Sequence, residues 1–91
     1  MFKIHIQENF PNPHSVIILA DGSLDDETIP ILRNVFERHW VNGKKIKLDL
    51  EGLIRISREG MDFLNEIQGK IQFLNIPKFI RLNEEDFPMK K

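Results

Sequence analysis

The sequence predicts an α/β fold, a four-stranded mixed sheet with three helices in the order β-β-α-β-α-β-α. Three observations predict it. Two apolar segments of strand length stand near the amino end within reach of a hairpin, an amphipathic helical pattern follows them, and the remainder alternates strand-like with helix-like spacing. Alternation of that kind produces parallel strands joined by helical crossovers. A chain of 91 residues is one domain. It is expected to occupy 1–91, with its core at about 15–82 and a frayed tail at 84–91.

The first strand is read at Phe2-Lys3-Ile4-His5-Ile6, where apolar residues alternate with polar ones. Asn9 to Pro13 holds two prolines flanked by asparagines and is expected to turn. Ser15 to Ala20 is a continuous β-branched run, which suits an inner strand covered on both faces. Asp21 to Thr28 reads as a turn followed by helix-start chemistry. Asp26 or Thr28 could cap the helix, and Pro30 favours Thr28 because it then falls in the first turn.

Ile29, Leu32, Val35, Phe36 and Trp40 then recur at helical spacing, and Asn42-Gly43 should end the helix. Lys44 to Leu50 alternates as a strand, broken at Glu51-Gly52. Leu53 to Ile56 is an apolar stretch leading to Ser57, the expected cap of a short helix over Gly60 to Ile67, which Gly69 ends. Lys70 to Leu74 reads as the last strand and Pro77 to Leu82 as a final helix.

Composition narrows the function. Hydrophobic residues make up 41% of the chain and charged residues 30%, the balance of a globular domain. Thirteen Lys and Arg oppose fourteen Asp and Glu, a net charge of −1, which argues against a nucleic-acid partner because phosphate contacts need a basic surplus. Without cysteine there can be no disulfide, thiolate zinc site or cysteine nucleophile. No run approaches the ~18 apolar residues of a membrane span, and the first residues do not form a signal peptide. A cytoplasmic protein without a cofactor is expected.

The stretch Leu19-Ala20-Asp21-Gly22-Ser23-Leu24-Asp25 resembles the Gly-x-Leu-Asp turn that opens STAS domains, the anti-sigma-factor-antagonist family. The helix from Thr28 to Trp40, the strand with Leu48-Asp49-Leu50, and Gly52-Leu53 continue the resemblance. Ile56-Ser57-Arg58-Glu59-Gly60-Met61 falls where that family carries Ile-Asp-Ser-Ser/Ala-Gly-Leu. The resemblance runs from about Ser15 to Leu82. It implies a STAS-like single domain that binds a protein partner, an anti-sigma factor or serine-kinase domain, in a bacterial regulatory system and has no enzyme activity. Its relatives are switched by phosphorylation of the Ser or Thr that follows the aspartate. Here that position is Arg58, and Ser57 replaces the aspartate. The resemblance therefore implies binding without the usual phosphoswitch, and a helix after Gly60 about two turns shorter than its relatives have.

On this basis the partner-binding residues are expected to be Asp21, Gly22, Ser23, Asp25, Ser57, Arg58, Glu59 and Gly60. Ser57 is also a conceivable shifted phosphoacceptor, since a phosphate there would meet the free amides and positive dipole end of a helix, with Arg58 beside it. The simpler role for Ser57 is a helix cap, whose loss costs ~1 kcal/mol, and this is favoured. Asp21, Asp25, Asp26 and Glu27 do not have the spacing of a calcium loop, and His5, His14 and His39 are not at ligand spacing, so no metal is expected. No nucleophile elbow or phosphate loop is present, and Gly43-Lys44-Lys45 follows a helix rather than opening one. Phe2, Phe36, Phe63, Phe73, Phe79 and Trp40 are assigned to packing, and Phe10 and Phe87 to exposed anchors. Two other readings remain: an assembly subunit or homo-oligomer with no signalling role and, last, a small-ligand binder.

Overall fold

In the computed structural model, which describes residues 4–82, the elements run β1 (Ile4–Asn12), β2 (Ser15–Leu24), α1 (Ile29–Val41), β3 (Lys45–Asp49), β4 (Leu53–Ile56), α2 (Arg58–Ile67) and β5 (Gln72–Leu74). The expected frayed tail, Phe2 and Phe87 lie outside those residues. The fold class is as expected, a small α/β domain with a mixed sheet, but the described residues form five strands and two helices.

β2 is the spine of the sheet. β1 pairs with it antiparallel, while β3 (Ser15↔Lys45 to Leu19↔Asp49) and β4 (Gly22↔Leu53 to Leu24↔Ile56) pair with it parallel. Gly22 has partners in both β1 and β4, and Ser15 and Ile17 to Leu19 lie opposite both β1 and β3. β3 and β4 therefore follow one another along the edge of β2 that faces away from β1. β5 adds parallel to the outer edge of β3.

The hairpin turn is tighter than expected. β1 continues through Phe10 and Pro11 to Asn12, and only Pro13 and His14 turn, with the His14 amide donating to the Asn12 side chain at 2.8 Å. Proline is tolerated inside β1 because β1 is an edge strand and its register shifts between Asn9 and Asn12, so the ladder does not need that N–H.

Side-chain alternation divides the sheet into two faces. Val16, Ile18 and Ala20 of β2, with Ile4, Ile46 and Leu48, face a single core shared with Leu32, Val35 and Phe36 of α1 and Phe63, Leu64 and Ile67 of α2. The two helices meet where Phe36 and Phe63 stack with ring centroids 6.1 Å apart. Each fully buried side chain of this kind contributes about 1.5–3 kcal/mol relative to an exposed one. On the opposite face Ile17 and Leu19 are only half-buried, and their β3 and β1 neighbours Lys47, Asn9 and Gln7 are exposed. The domain has two layers, and the expectation that β2 is covered on both faces is corrected. Its apolar run is continuous because its outer residues are partly shielded by paired neighbours in the middle of the sheet.

Two further expectations change. Leu53–Ile56 is strand β4, because β2 extends to Leu24 and offers it a ladder. Ile54, 77% exposed, is the extra residue of the bulge where Gly22↔Leu53 shifts to Ser23↔Arg55. The final helix at Pro77–Leu82 does not form: Lys78 and Phe79 make a turn closed by Ile80 N–H to Pro77 C=O at 3.1 Å. The segment is too short to offset the cost of helix nucleation, and burial of Ile80 holds it instead. Phe79, assigned to the core as part of that helix, is consequently 49% exposed.

A polar group also ties β1 to α1. Glu8 points toward the helical layer, where its Oε2 accepts from Arg38 Nη2 at 2.9 Å and lies 3.0 Å from Nε2 of the buried His39. A carboxylate only accepts, so His39 carries its proton on Nε2. The hydrogen bond from His39, with help from Arg38, holds the Glu8 carboxyl below its ordinary value of 4.5 against an opposing effect of burial. A depressed carboxyl stabilises the fold above its unfolded value, and that contribution is lost as pH falls through the folded value. Unfolding by urea at a series of pH values should therefore show wild-type stability dropping below about pH 4.5, with a shallower drop in Glu8→Gln.

Glycine positions give a second expectation. A Cβ on Gly60 would meet the Leu24 carbonyl oxygen at 2.5 Å and Ile56 Cγ1 at 2.9 Å, whereas one on Gly69 would meet nothing within 4 Å. Gly60→Ala should cost about 1–3 kcal/mol. Gly69→Ala should leave stability unchanged or raise it by about 0.4–1 kcal/mol. Denaturation midpoints of the two variants check this.

Candidate functional site

The carboxyl ends of β2 and β4 each lead into a helix, and the chain joins these two exits. The Ser57 amide donates to the Leu24 carbonyl at 2.9 Å, and the Gly22 amide donates to the Gly52 carbonyl at 3.0 Å. Gly22 has φ of +114°, which glycine adopts without strain, at the residue where the β2–β4 register shifts. Gly52 is needed for a different reason, since a Cβ there would fall on the Asp21 carboxylate. Asp21, Gly22 and Ser23 thus belong to β2 itself and are half-buried, not turn residues as expected.

Thr28 occupies the N-cap position of α1, as Pro30 favoured, without a side-chain cap bond, and the turn proper starts before it, at Asp25. Its carboxylate accepts from the amides of Glu27 at 2.9 Å and Thr28 at 3.1 Å, while the Thr28 hydroxyl accepts from the Asp25 amide at 2.9 Å. This is a reciprocal capping box with aspartate at its head and threonine three residues on. The Thr28 hydroxyl also donates to the Ser23 carbonyl at 2.9 Å, and Thr28 is 2% exposed. Thr28 does stand at the helix boundary, but its side chain faces back toward the strand rather than capping forward. The Asp25-x-x-Thr28 spacing was the signal for this box.

At the second exit Ser57 is the helix cap, its Oγ accepting from the Gly60 amide at 3.1 Å, and α2 begins at Arg58. Arg58 and Glu59 are exposed, and Ser57 is half-buried. Gly60 is buried against the Leu24 carbonyl, so it holds the two exits together and has no surface to offer a partner. The accessible part of this face is therefore the turn with Asp25, Asp26 and Glu27 beside Ser57, Arg58 and Glu59. Leu24 and Thr28, which build the junction, were not among the expected site residues. The junction depends on a carbonyl and a returning hydroxyl, which leave no pattern of their own in a sequence.

Carboxylates and a guanidinium at the mouth of two capped helices can bind a charged protein surface. Among the described residues no group of three or more His, Cys, Asp or Glu is placed to hold a metal ion. No described helix is long and apolar enough to cross a membrane.

No protein-family model matches the sequence, and no curated protein matches it either. Among solved structures, the chain is similar to an anti-sigma factor antagonist from Mycobacterium paratuberculosis, with a TM-score of 0.63 at 16% identity over 77% of this chain. The likeness spans 63% of the length of that antagonist. The fold is thus that of an anti-sigma factor antagonist, as the sequence resemblance implied, although Gly22 lies in β2 and Gly60 in α2 rather than in turns.

Proposed function

We propose that the chain is a non-catalytic, STAS-like interaction module of a bacterial regulatory system, docking on an anti-sigma factor or serine-kinase domain. The observation that carries this reading is the Ser57–Leu24 backbone bond, which places the Asp25–Glu27 turn beside Arg58 and Glu59 in a fold shared with an anti-sigma factor antagonist. In parallel sheets, binding sites commonly lie beyond the carboxyl ends of the strands, and both loops occupy that position. Asp25, Ser57, Arg58 and Glu59 are the proposed contacts, with Asp21, Gly22, Ser23 and Gly60 as their support.

Binding is proposed to be constitutive. Arg58 cannot accept a phosphate, and Ser57 is engaged as a cap. The fixed charges of Arg58 and Glu59 take the place of a switchable one.

Incubation with a partner serine kinase and ATP, followed by intact mass measurement, should show no added phosphate on the wild type. Arg58→Ser should gain one phosphate if the local geometry suits the kinase. Stoichiometric phosphate on Ser57 of the wild type would contradict the reading. Arg58→Glu, on an exposed residue, should weaken partner binding about tenfold by calorimetry while leaving the melting temperature unchanged.

A further inference from the structure

We infer that two copies of the chain pair through the outer face of the sheet, the side away from the helices, in a two-fold dimer whose strands run antiparallel across the interface. Strand register builds this face in matched levels. Asn9, Ile17, Lys47 and Gln72 lie side by side at one level. Two residues further along β2 and β3, the next outward level is Gln7, Leu19, Asp49 and Leu74. Between the two, Ile18 and Leu48 are turned into the core.

A sheet face left to water carries polar side chains. Here Ile17 and Leu19 on β2 and Leu74 on β5, each half-buried, interrupt the polar pattern. The apolar run of β2 continues on both of its faces, and neither the helical core nor the loop face uses the outer half.

Charge on this face is divided along the strands. Lys45 and Lys47 stand exposed toward the amino end of β3, and among the described residues no carboxylate pairs with either. Asp49 stands toward the carboxyl end, as does Asp21 beyond Leu19 on β2. The Asp49 carboxylate is held in place by the Glu51 amide and Asn75 Nδ2, each donating to it at 2.9 Å, and its oxygens keep further lone pairs.

A face with one basic and one acidic end complements a copy of itself turned end for end. A two-fold axis crossing the strands at the level of Ile18 and Leu48 sets Lys47 opposite Asp49 of the second copy, and Asp49 opposite that copy's Lys47. The same axis sets Ile17 against Leu19 of the second copy, twice over. An axis running along the strands would instead lay the basic level on the basic level. Stacked sheets lie about 10 Å apart, a gap that a lysine and an aspartate reaching toward each other can span. Antiparallel stacking also sends the two loop faces to opposite ends of the dimer.

Sedimentation equilibrium of the intact protein from about 10 μM to about 1 mM should show a rise from 10.7 kDa toward twice that mass, reduced by added salt. Lys47→Glu sets like charges opposite one another at both contacts and should weaken the dimer about tenfold or more. Asp49→Lys should do the same. An equimolar mixture of these two variants should dimerise again, because in the mixed pair both contacts join opposite charges. Lys78→Glu, at an exposed residue outside the sheet, should associate as the wild type does. Melting curves establish that each variant folds, and Lys47→Glu, on an exposed side chain, tests the inference even if Asp49→Lys does not fold. A wild type that stays monomeric at about 1 mM leaves the face to water or to another protein and overturns the inference. So does a dimer that Lys47→Glu leaves intact, or one that the two folded variants fail to restore when mixed. None of these outcomes bears on the loop face.

Discussion

The hydrogen bond from the Ser57 amide to the Leu24 carbonyl is the contact on which the joined exits of β2 and β4, the proposed docking face, depend. It forms because β2 runs four residues beyond its apolar core segment, which lets β4 pair beside Leu24 and deliver Ser57 there. Gly60 then allows the first turn of α2 to lie against the same carbonyl. Ser57 thus has two structural duties, its amide closing the strand ladder and its hydroxyl capping the helix. With one exit fixed to the other, the Asp25 capping box and the Arg58-Glu59 pair keep a constant spacing. Such preorganisation limits the ordering cost of binding a partner.

The two ends of the sheet differ in charge. At the carboxyl ends of β2 and β4, Asp25, Asp26, Glu27 and Glu59 outnumber Arg58, while the start of β3 and the turn before β5 carry Lys44, Lys45, Lys47 and Lys70. A near-zero net charge therefore conceals local fields of opposite sign, and local fields govern recognition and association rate.

Much of the scaffold was legible in the sequence because it rests on periodicity. The α1 stripe, the Asn42-Gly43 stop and the alternation of β3 come from local pattern that tertiary contacts reinforce. Ser57 was readable as a cap because serine before a helix has few other uses. What was not legible depends on partners distant in sequence. Leu53–Ile56 is too short and too uniformly apolar to declare its period, and it becomes a strand only because β2 offers an edge. Pro77–Leu82 has helical spacing but too few residues to nucleate. Pro30 marked the helix boundary at Thr28, whereas the side-chain exchange between Asp25 and Thr28 ahead of it had only the Asp25-x-x-Thr28 spacing as its signal.

Amide hydrogen exchange with and without the proposed partner domain, an anti-sigma factor or serine kinase, tests the proposed docking face most directly. The account predicts slowed exchange on binding confined to the Asp25–Glu27 turn and to Arg58 and Glu59, with β1 and the start of β3 unchanged. Slowing centred on the outer sheet face around Ile17 and Lys47, with the two loops unaffected, would contradict it.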